Sequence, residues 1–557
     1  MEISLKKGFF WYINRLRKMN SFELFHRLLE GFFYTRDALY YKKGWPDSDA
    51  FLNVEVLNNK LGESLILENE KLHKYFTSEL NEQVLPFENT KLFKSITPSE
   101  NFDIRAYWES QRFNQLTICS MENESSVLFI LESWMESNPP LKGVNYISTM
   151  ECAIRCINLY GALCVLNVKG QLDNKLLHLS NIFFAVNYRL IRNRISKFSS
   201  RGNHTLFEYA GLAVCALAGA SKKKKYWVDK CINEFDYQTL DDGAGVEQST
   251  AYHLFNIEVT WFIQKFLANG SHKTTKLDRA MLFCADFWSS GQLIRIGDSD
   301  SSVLFSRAFI ENELTTLKER LKPKNIYHNS GVVSFKNKNL QGYFKYGSLG
   351  LAPLFGHGHY DFLSLILLDS TGDHITVDAQ TYLYNTSNRN EYRSSSYHSM
   401  PICGLDDIKQ ISKFSWMHDN SGELVTAVGG WLTGCYQRND GTVIRRSFKL
   451  SSNKLIVVDQ LTEHKVDKEL ITQWLILNKK ECFDFYLVDE NKLVTKLLPS
   501  ESKLDASFKY NKLEINKITK LELTSKSTEK IVTVLNLTSE ISKKSFIDIA
   551  RDICDVI

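Results

Sequence analysis

The spacing of apolar residues divides the chain into a helical part and a strand-rich part. Up to about residue 320, apolar residues recur three and four positions apart, a spacing that buries one stripe of each helix. The clearest examples are SFELFHRLLEGFFYTRDALYY, DIRAYWESQRFNQLTICS, TMECAIRCINLYGALCVLNV and RGNHTLFEYAGLAVCALAGA. Short breaks rich in Gly, Asn, Pro or Lys separate such segments, so the pattern predicts antiparallel helix pairs packed side by side.

After about Lys324 apolar residues alternate with polar ones, which is the period of a half-buried strand. The runs are GVVSFKN, QGYFKYGSL, SLILLDS, HITVDAQTYLY, TVIRRSFKL, KLIVVDQL, ELITQWLIL and IVTVLNLTS. Turn sequences such as SSN and NDG between them indicate antiparallel pairing. We therefore predict a helical domain over residues 1–323 and an antiparallel β-sandwich over residues 324–557.

Composition restricts the class of protein and its partners. With 557 residues, 43% of them hydrophobic and 24% charged, the chain is long and apolar enough for at least two folded cores. Its 68 Lys and Arg against 64 Asp and Glu give a net charge of +4, which argues against nucleic acid as a partner. Its 11 cysteines form no CxxC pair, so we expect mostly free thiols in a reducing compartment.

The sequence predicts neither an export signal nor a transmembrane segment. The apolar patch at Gly8–Ile13 is too short for a signal peptide, and the run Leu206–Ala220 contains a glutamate and is too short to span a bilayer. We expect a cytoplasmic protein, with a periplasmic or membrane-associated location as the alternative. The basic amphipathic start, from Lys6 to Arg36, either packs as the first helix pair or makes a peripheral membrane contact.

The first candidate site lies in RGNHTLFEYAGL, at the predicted start of a strongly apolar helix. His204 and Glu208 are four residues apart and share a face, and Asn203 lies near the helix N-terminus, where unpaired amides favour an anion. The alternative is an N-cap asparagine beside a core histidine.

The second candidate site lies in DDGAGVEQSTAYH, where a Gly-rich loop leads into a helix that begins near Tyr252. Such a loop can bring a phenol close to a ligand, although Tyr252 could also be a helix-surface aromatic. The loop also contains three carboxylates, Asp241, Asp242 and Glu247. They are either solvated, or two of them form a catalytic pair.

Histidines mark a third candidate site in FGHGHYDFLSLILLDS and the segment that follows it. His357 and His359 are two apart on a predicted strand, so both rings would project from one face. His359, Asp378 and His398 together would form a two-imidazole, one-carboxylate set of the kind that zinc accepts, although each could separately lie at the surface.

Taken together, the motifs GNHTLFEYAGL, DDGAGVEQSTAYH, GHGHYDFLS, VDAQTY and YRSSSYHSM resemble the heparinase II/III-like polysaccharide lyases, a superfamily that also contains alginate lyases. The resemblance implies an incomplete (α/α) toroid followed by an antiparallel β-sandwich, with the substrate cleft between them. It also implies cleavage of an acidic, uronate-containing polysaccharide by β-elimination, which we expect to serve bacterial surface polysaccharide metabolism. A glycoside hydrolase and a non-catalytic glycan-binding or assembly factor are the alternatives.

The resemblance also assigns roles to residues. Asn203 and His204 would neutralise the uronate carboxylate, and Tyr252 would be the catalytic acid and, depending on uronate stereochemistry, the base, with His204 and His357 as further proton-transfer candidates. A structural zinc ion would be held by His359, Asp378 and His398. Arg393 could add a guanidinium to the same uronate carboxylate, and Glu208 is expected to bind the substrate. Residues expected to line the sugar subsites, or else to pack the helices, are Trp108, Glu109, Arg112, Asn145 and Arg155.

Overall fold

The computed structural model describes residues 19–77, 91–95, 103–268, 274–299, 302–378, 380–384, 386, 388–426, 428–463, 468–509 and 512–537. Within these ranges a helical region precedes a region of antiparallel sheets. The predicted order of a helical domain followed by an antiparallel β-sandwich is therefore confirmed.

Thirteen α-helices lie between Ser21 and Lys318 in the described part of the chain. They are α1 (Ser21–Tyr40), α2 (Asn59–Leu67), α3 (Asn69–Thr77), α4 (Ile104–Ser110), α5 (Asn114–Glu122), α6 (Glu124–Ser137), α7 (Thr149–Val168), α8 (Asn174–Asn193), α9 (Asn203–Cys215), α10 (Lys224–Gln238), α11 (Thr250–Phe262), α12 (Leu277–Asp286) and α13 (Arg307–Lys318). Helix α7 is buried along almost its whole length and packs against α2, α5, α8 and α9.

The predicted helical segments form helices, with one difference. The segment that begins at Asp103 is divided into α4 and α5, because Phe113 between them adopts a left-handed φ of 66°. Elsewhere the observed bounds of the helices agree closely with the predicted segments. For example, α7 covers the whole of TMECAIRCINLYGALCVLNV.

The strands begin with a short hairpin, β1 and β2, inside the helical region, and otherwise follow α13. They are β1 (Trp288–Ser289), β2 (Gln292–Leu293), β3 (Lys324–Tyr327), β4 (Val332–Lys336), β5 (Leu340–Lys345), β6 (Ser364–Asp369), β7 (Pro401–Ile402), β8 (Gln410–Ser412), β9 (Ser415–Trp416), β10 (Glu423–Thr426), β11 (Leu432–Gln437), β12 (Val443–Leu450), β13 (Lys454–Glu463), β14 (Glu469–Ile476), β15 (Phe483–Val488), β16 (Val494–Leu497), β17 (Ser500–Lys509), β18 (Lys512–Lys526) and β19 (Lys530–Asn536). A short helix, α14 (Arg389–Tyr392), lies between β6 and β7.

Three larger antiparallel sheets build the second domain. The first has the order β3-β4-β5-β6, the second β10-β11-β12-β13-β19-β15-β16 and the third β17-β18-β14-β7. Residues Val332, Tyr343, Ile366 and Leu368 of the first sheet belong to the same hydrophobic core as the helices. The first sheet therefore packs directly on the helical domain, and loops from both domains meet along this interface.

Two segments that were predicted as strands are not strands. The segment with His357 and His359 precedes β6 as an irregular loop, because Phe355 and Leu363 have φ of 57° and 65°, outside the extended region. HITVDAQTYLY forms only single bridges, at His374 and Thr376.

Helix α7 is the one described helix that is long and apolar enough to cross a membrane. All of its apolar window is buried inside the protein. This burial is typical of the central helix of a folded domain, and α7 holds that place here.

Burial of His253 in α11 predicts a pH-dependent stability. The Nε2 atom of His253 lies 2.7 Å from the Gly243 carbonyl, and burial lowers the pKa of the imidazole to about 4. Between about pH 6.5 and pH 4 the unfolded chain binds a proton at this residue and the folded chain does not, so this residue makes stability fall as the pH falls. We expect the free energy of unfolding of the wild type to fall by about 2–3 kcal/mol relative to His253→Gln over this range.

Urea denaturation at a series of pH values would measure this difference. The exposed His328→Gln substitution is the control, which should follow the wild type. Parallel curves for the wild type and His253→Gln would contradict the prediction.

Candidate active site

A buried carboxylate, Asp298, joins the helical domain to loops of the sandwich. His357 Nδ1 lies 2.9 Å from one of its oxygens, and His359 Nε2 lies 3.0 Å from the other. Arg389 donates from its two Nη atoms to both oxygens, at 2.9 and 2.5 Å. Burial by itself would raise the pKa of Asp298, but Arg389 and the two imidazoles hold that pKa well below its usual range. We call Asp298, His357, His359 and Arg389 the junction. It contains an ionised carboxylate that orients both histidines.

Two glycines allow the backbone to bring these groups together. Gly297 has a φ of 69°, and a Cβ there would lie 2.3 Å from the Gln248 carbonyl oxygen. Gly358, between the two histidines, is so close to Leu349 that a Cβ would lie 1.8 Å from the Leu349 carbonyl oxygen. Because no other residue fits at either position without moving the backbone, the geometry of the junction depends on both glycines.

Tyr252 contacts the junction from the helical side. Its ring stacks on His357 with the centroids 4.1 Å apart, and its hydroxyl donates to the Tyr384 hydroxyl at 2.7 Å. The N-cap residue of α11, Ser249, accepts from the Tyr252 amide at 3.1 Å and donates to the Asp298 carbonyl at 2.5 Å. The Arg105 guanidinium lies 5.8 Å from the centre of the Tyr252 ring. Tyr252 and His357, which lie in different domains, are thus held in contact.

A cavity of about 130 Å³ opens beside these groups, between the start of α9 and the loop with His357. Its polar lining includes Asn203, His204, Glu247 and His357. Three of the four predicted catalytic residues therefore line one cavity, and the fourth, Tyr252, stacks on the His357 ring.

The electrostatics of the cavity suit an anionic ligand. Asn203 Oδ1 accepts from the His204 amide at 2.9 Å, whereas Asn203 Nδ2 is buried and has no hydrogen-bond acceptor among the described residues. Burial lowers the pKa of His204 to about 4, so this imidazole is neutral at neutral pH. Burial also raises the pKa of Glu247. A carboxylate entering the cavity would find a free amide donor at a helix N-terminus and a neutral imidazole beside it.

A second cluster, which we call the Asp-Asp-His cluster, consists of Asp361, Asp378 and His398. Ligand atoms of the three side chains lie within 4.8 Å of one another, and all three residues are buried. His398 Nδ1 lies 3.2 Å from Asp378 Oδ1, and Asp361 accepts from the Lys345 ammonium at 2.7 Å. Apart from this contact between His398 and Asp378, the Asp378 oxygens, Asp361 Oδ2 and the His398 nitrogens have no hydrogen-bond partner among the described residues. These side chains therefore form a candidate metal site.

This cluster contains two of the three predicted metal ligands. Asp378 and His398 belong to it, together with Asp361. The third predicted ligand, His359, directs its Nε2 to Asp298, and its role as a metal ligand stays a prediction. The His359 ring still lies near the cluster, with its centroid 5.3 Å from that of His398, and its Nδ1 has no hydrogen-bond partner among the described residues.

The predicted substrate contact of Arg393 also needs correction. Its guanidinium is fully buried and donates to the carbonyls of Phe355, Gly358 and Lys413. It lies 4.9 Å from the ring centre of Trp416, and burial lowers its pKa to about 9. Arg393 therefore stabilises the backbone of the histidine loop, the loop that carries His357 and His359. It does not line the cavity.

The predicted sugar contacts on the helices lie outside the lining of the cavity. Glu208 accepts from Thr149 and Ser196, and burial raises its pKa to about 7. Arg112 forms a buried two-bond ion pair with Glu151, at 2.8 Å for each bond. These contacts favour the packing alternative for both residues.

The remaining four helical residues show the same kind of contact. Arg155 donates to the carbonyl of Asn145 at 2.7 Å, and both side chains are fully buried. Trp108 donates from Nε1 to the Val144 carbonyl at 2.9 Å. Glu109 accepts from Ser302 at 2.9 Å. All of these contacts are internal.

Sequence reasoning missed several residues of the site. Asp361 had a visible signal, because it lies two residues after His359 within the GHGHYDFLS motif. Asp298 stands in a Gly-Asp-Ser-Asp loop whose composition is that of an ordinary solvated turn. Arg389, Tyr384 and Arg105 gave no signal, since their role depends on residues far away in the sequence.

Comparison with known protein families agrees with this geometry. The family model "Heparinase II/III N-terminus" matches residues 116–278, and "Heparinase II/III-like, C-terminal" matches residues 319–508. Together the two matches cover more than half of the chain.

The chain belongs to the heparinase II/III-like family. Membership confirms the predicted enzyme class, a polysaccharide lyase, and with it a polysaccharide substrate. No protein with a curated description matches the sequence significantly.

Solved structures of lyases share the fold of this family member. Heparinase III is 13% identical, with a TM-score of 0.60 over 90% of this chain and 89% of that one. Heparan sulfate lyase HepC from Pedobacter heparinus is 14% identical, with a TM-score of 0.51 over 93% and 89%. The heparinase III-BT4657 gene product is 16% identical, with a TM-score of 0.52 over 88% and 87%. At these identities the likeness establishes the fold, and it supports the predicted toroid and sandwich.

Loss of the Asp298 charge should destabilise the protein strongly. In Asp298→Asn the buried guanidinium of Arg389 loses its counter-ion, and removal of one partner from a buried ion pair costs about 3–5 kcal/mol. The measurement is the free energy of unfolding from urea denaturation at neutral pH.

Asp440→Asn is the matched control, because Asp440 pairs with Lys468 at the surface, where a loss below about 1 kcal/mol is expected. Equal losses of unfolding free energy in the two variants would contradict the prediction. They would show that the Asp298–Arg389 pair stabilises the protein no more than a surface ion pair does.

Proposed function

We propose that this lyase cleaves a uronate-containing polysaccharide by β-elimination and leaves an unsaturated uronate at the new non-reducing end. The observation that carries the proposal is one cavity lined by Asn203, whose Nδ2 is unpartnered among the described residues, by the neutral His204 and by His357, on whose ring Tyr252 stacks. Each group has a task in that reaction.

The first task is to neutralise the uronate carboxylate. The hydrogen on C5 is barely acidic while the neighbouring carboxylate is charged, so donors must stabilise the enolate-like intermediate. Asn203 Nδ2 is a buried donor with no internal acceptor among the described residues, and it stands at the first residue of α9. The positive end of the helix dipole adds to its effect on an anion.

The second task is proton transfer. A base takes the C5 proton, the C–H electron pair forms the C4–C5 double bond, the C4–O bond breaks, and an acid protonates the departing glycosidic oxygen. We assign the role of the acid to Tyr252, whose ring stacks on His357. With His357 Nδ1 held at Asp298, the Nε2 atom of His357 remains to accept a proton. His204, a neutral imidazole at the same cavity, is a further candidate.

Tyr252→Phe should lower kcat by about 100-fold or more while the fold stays intact, because it removes a proton-transfer group. The measurement is the rise in ultraviolet absorbance from the unsaturated product, across a panel of defined uronate polysaccharides. Tyr346→Phe is the matched control, because the buried Tyr346 hydroxyl has no hydrogen-bond partner among the described residues. A fully active Tyr252→Phe enzyme would remove Tyr252 from the mechanism.

The three loop carboxylates proposed for a hydrolase do not meet as a pair at the cavity. Asp241 is exposed and pairs with Lys276, and Asp242 accepts from the amide and hydroxyl of Ser330. Of the three loop carboxylates, Glu247 is the one that lines the cavity. A hydrolase needs two carboxyl groups facing one bond, and its product would carry an added water detectable by mass. Glycan binding without any product would favour the binding-factor alternative.

We further propose that the Asp-Asp-His cluster holds a structural zinc ion. Zinc accepts nitrogen and oxygen ligands, and the cluster offers buried carboxylate oxygens and imidazole nitrogens with no other partner among the described residues. The bound ion would cross-link the loops around Asp361, Asp378 and His398 behind the histidine loop.

His398→Gln should remove the zinc. The expected result is less than about one tenth of the wild-type metal content, because loss of one ligand from a three-residue set opens the site. Elemental analysis of the purified protein gives the metal content, and His374→Gln, outside the cluster, is the control. Absence of zinc from wild-type protein purified without chelator would contradict the proposal.

Location is a separate proposal. The cysteines in the described part of the chain are all free thiols, which supports a reducing compartment such as the cytoplasm. Action on the cell's own surface polysaccharide during its synthesis would fit that location. Fractionation of native cells would test it, and recovery of the protein outside the cytoplasmic and membrane fractions would contradict it.

A further inference from the structure

Helix α1 buries acidic residues and exposes large apolar ones, the reverse of the usual orientation. Its two buried residues, Glu23 and Asp37, are both carboxylates. Four large apolar residues on the same helix are 62–71% exposed: Phe25, Leu28, Phe32 and Leu39. A helix at the surface of a folded protein normally buries its apolar stripe.

The polar side of α1 is bonded to the rest of the protein. Asp37 accepts from Arg189 Nε at 2.8 Å and from Asn193 Nδ2 at 2.7 Å. At the other end of the helix, Glu23 accepts from the Ser199 hydroxyl. Because breaking these buried bonds would leave the carboxylates without partners, the helix is fixed with its apolar side outward.

The outward apolar residues form a continuous face. Phe25, Leu28 and Phe32 follow one another at intervals of three and four residues, so they lie on one side of the helix. Phe198 lies beside the N-terminal half of the helix, where its ring is 5.6 Å from that of His26, and it is 39% exposed. We call Phe25, Leu28, Phe32 and Leu39 the apolar face.

The charges around this face are basic. The acidic residues of α1 are all engaged in contacts with protein groups, since Glu30 pairs with Arg27 at 2.9 Å and the other two are buried. Exposed lysines adjoin the face in sequence: Lys42 and Lys43 directly follow α1, and Lys197 precedes Phe198, whose ring contacts His26. The exposed carboxylates Asp47 and Asp49 lie farther along the chain. A second copy of this helix would bring the lysines together, and no carboxylate of α1 is exposed to pair them. An anionic lipid surface is complementary to both the apolar face and its basic surroundings.

We infer that α1 docks the enzyme on a membrane that contains anionic lipids. The apolar face enters the headgroup region, and the lysines contact lipid phosphates. Of the predicted segment from Lys6 to Arg36, residues 6–18 lie outside the described residues. For the part in α1, the packing and membrane alternatives apply to opposite sides of one helix. Ser199 and Ser200, which bond Glu23 and Arg27 of this helix, also line the candidate active-site cavity. Docking would therefore hold that cavity beside the membrane, whichever reaction it performs.

Vesicle co-sedimentation of the full chain tests this inference. Wild-type protein should bind phosphatidylcholine vesicles that contain phosphatidylglycerol, and high salt should weaken the binding. The double variant Phe25→Gln, Phe32→Gln should bind at least about tenfold more weakly, because it removes much of the inserted apolar area. Phe129→Gln is the matched control, since Phe129 on α6 is 71% exposed outside the apolar face, and it should bind like the wild type.

Several results would overturn the inference. The inference is wrong if the wild-type protein does not co-sediment with the vesicles. It is also wrong if the double variant binds the vesicles as strongly as the wild type. Light scattering of the protein without vesicles provides a further test, because a wild-type dimer that becomes a monomer in the double variant would assign the apolar face to a second copy. The ultraviolet assay on free polysaccharide is independent of these measurements, so failure of docking and failure of the lyase proposal remain distinguishable.

Discussion

The arrangement of the site depends on one buried carboxylate. Asp298 has no access to water, and a charge in that position is tolerated only because Arg389 and two imidazoles surround it. Asp298 comes from the helical domain, and its partners come from the loops of the sandwich. The same contact therefore holds the two domains together, orients His357 towards Tyr252, and engages the Nε2 atom of His359.

Local polarity reconciles a nearly neutral chain with the acidic polysaccharide that we propose as its substrate. The net charge of +4 is spread over 557 residues and predicts no polyanion surface. The cavity needs no excess of charge, because a buried amide donor at a helix N-terminus and a neutral imidazole provide directed polar contacts. Many of the buried arginines instead form internal contacts, as Arg112 and Arg393 do, and they stabilise the walls of the site.

Helix α1 shows that amphipathicity predicts a helix without predicting which side is buried. Its apolar period predicts the helix from Ser21 to Tyr40, and the structure has it there. Packing of its acidic side against α8 and the turn before α9 reverses the usual orientation. The free energy for that reversal comes from buried hydrogen bonds to Asp37 and Glu23, which are formed with residues more than 150 positions away.

The sequence by itself determined the elements, the order of the domains and the identity of Asn203, His204, Tyr252 and His357 as candidate catalytic residues, because period and motif are local properties. It could not show whether Arg112, Arg155, Glu208 and Arg393 bind sugar or form internal contacts. The reason is that the sequence pattern around a polar residue is the same in an internal ion pair and in a binding site. Only the tertiary structure decided that Asp298 meets Arg389, 91 residues away, that Tyr252 meets Tyr384, 132 residues away, and that Asp361 joins Asp378 and His398. Those pairings arise from the packing of two domains, and packing brings together residues whose separation along the chain carries no signal.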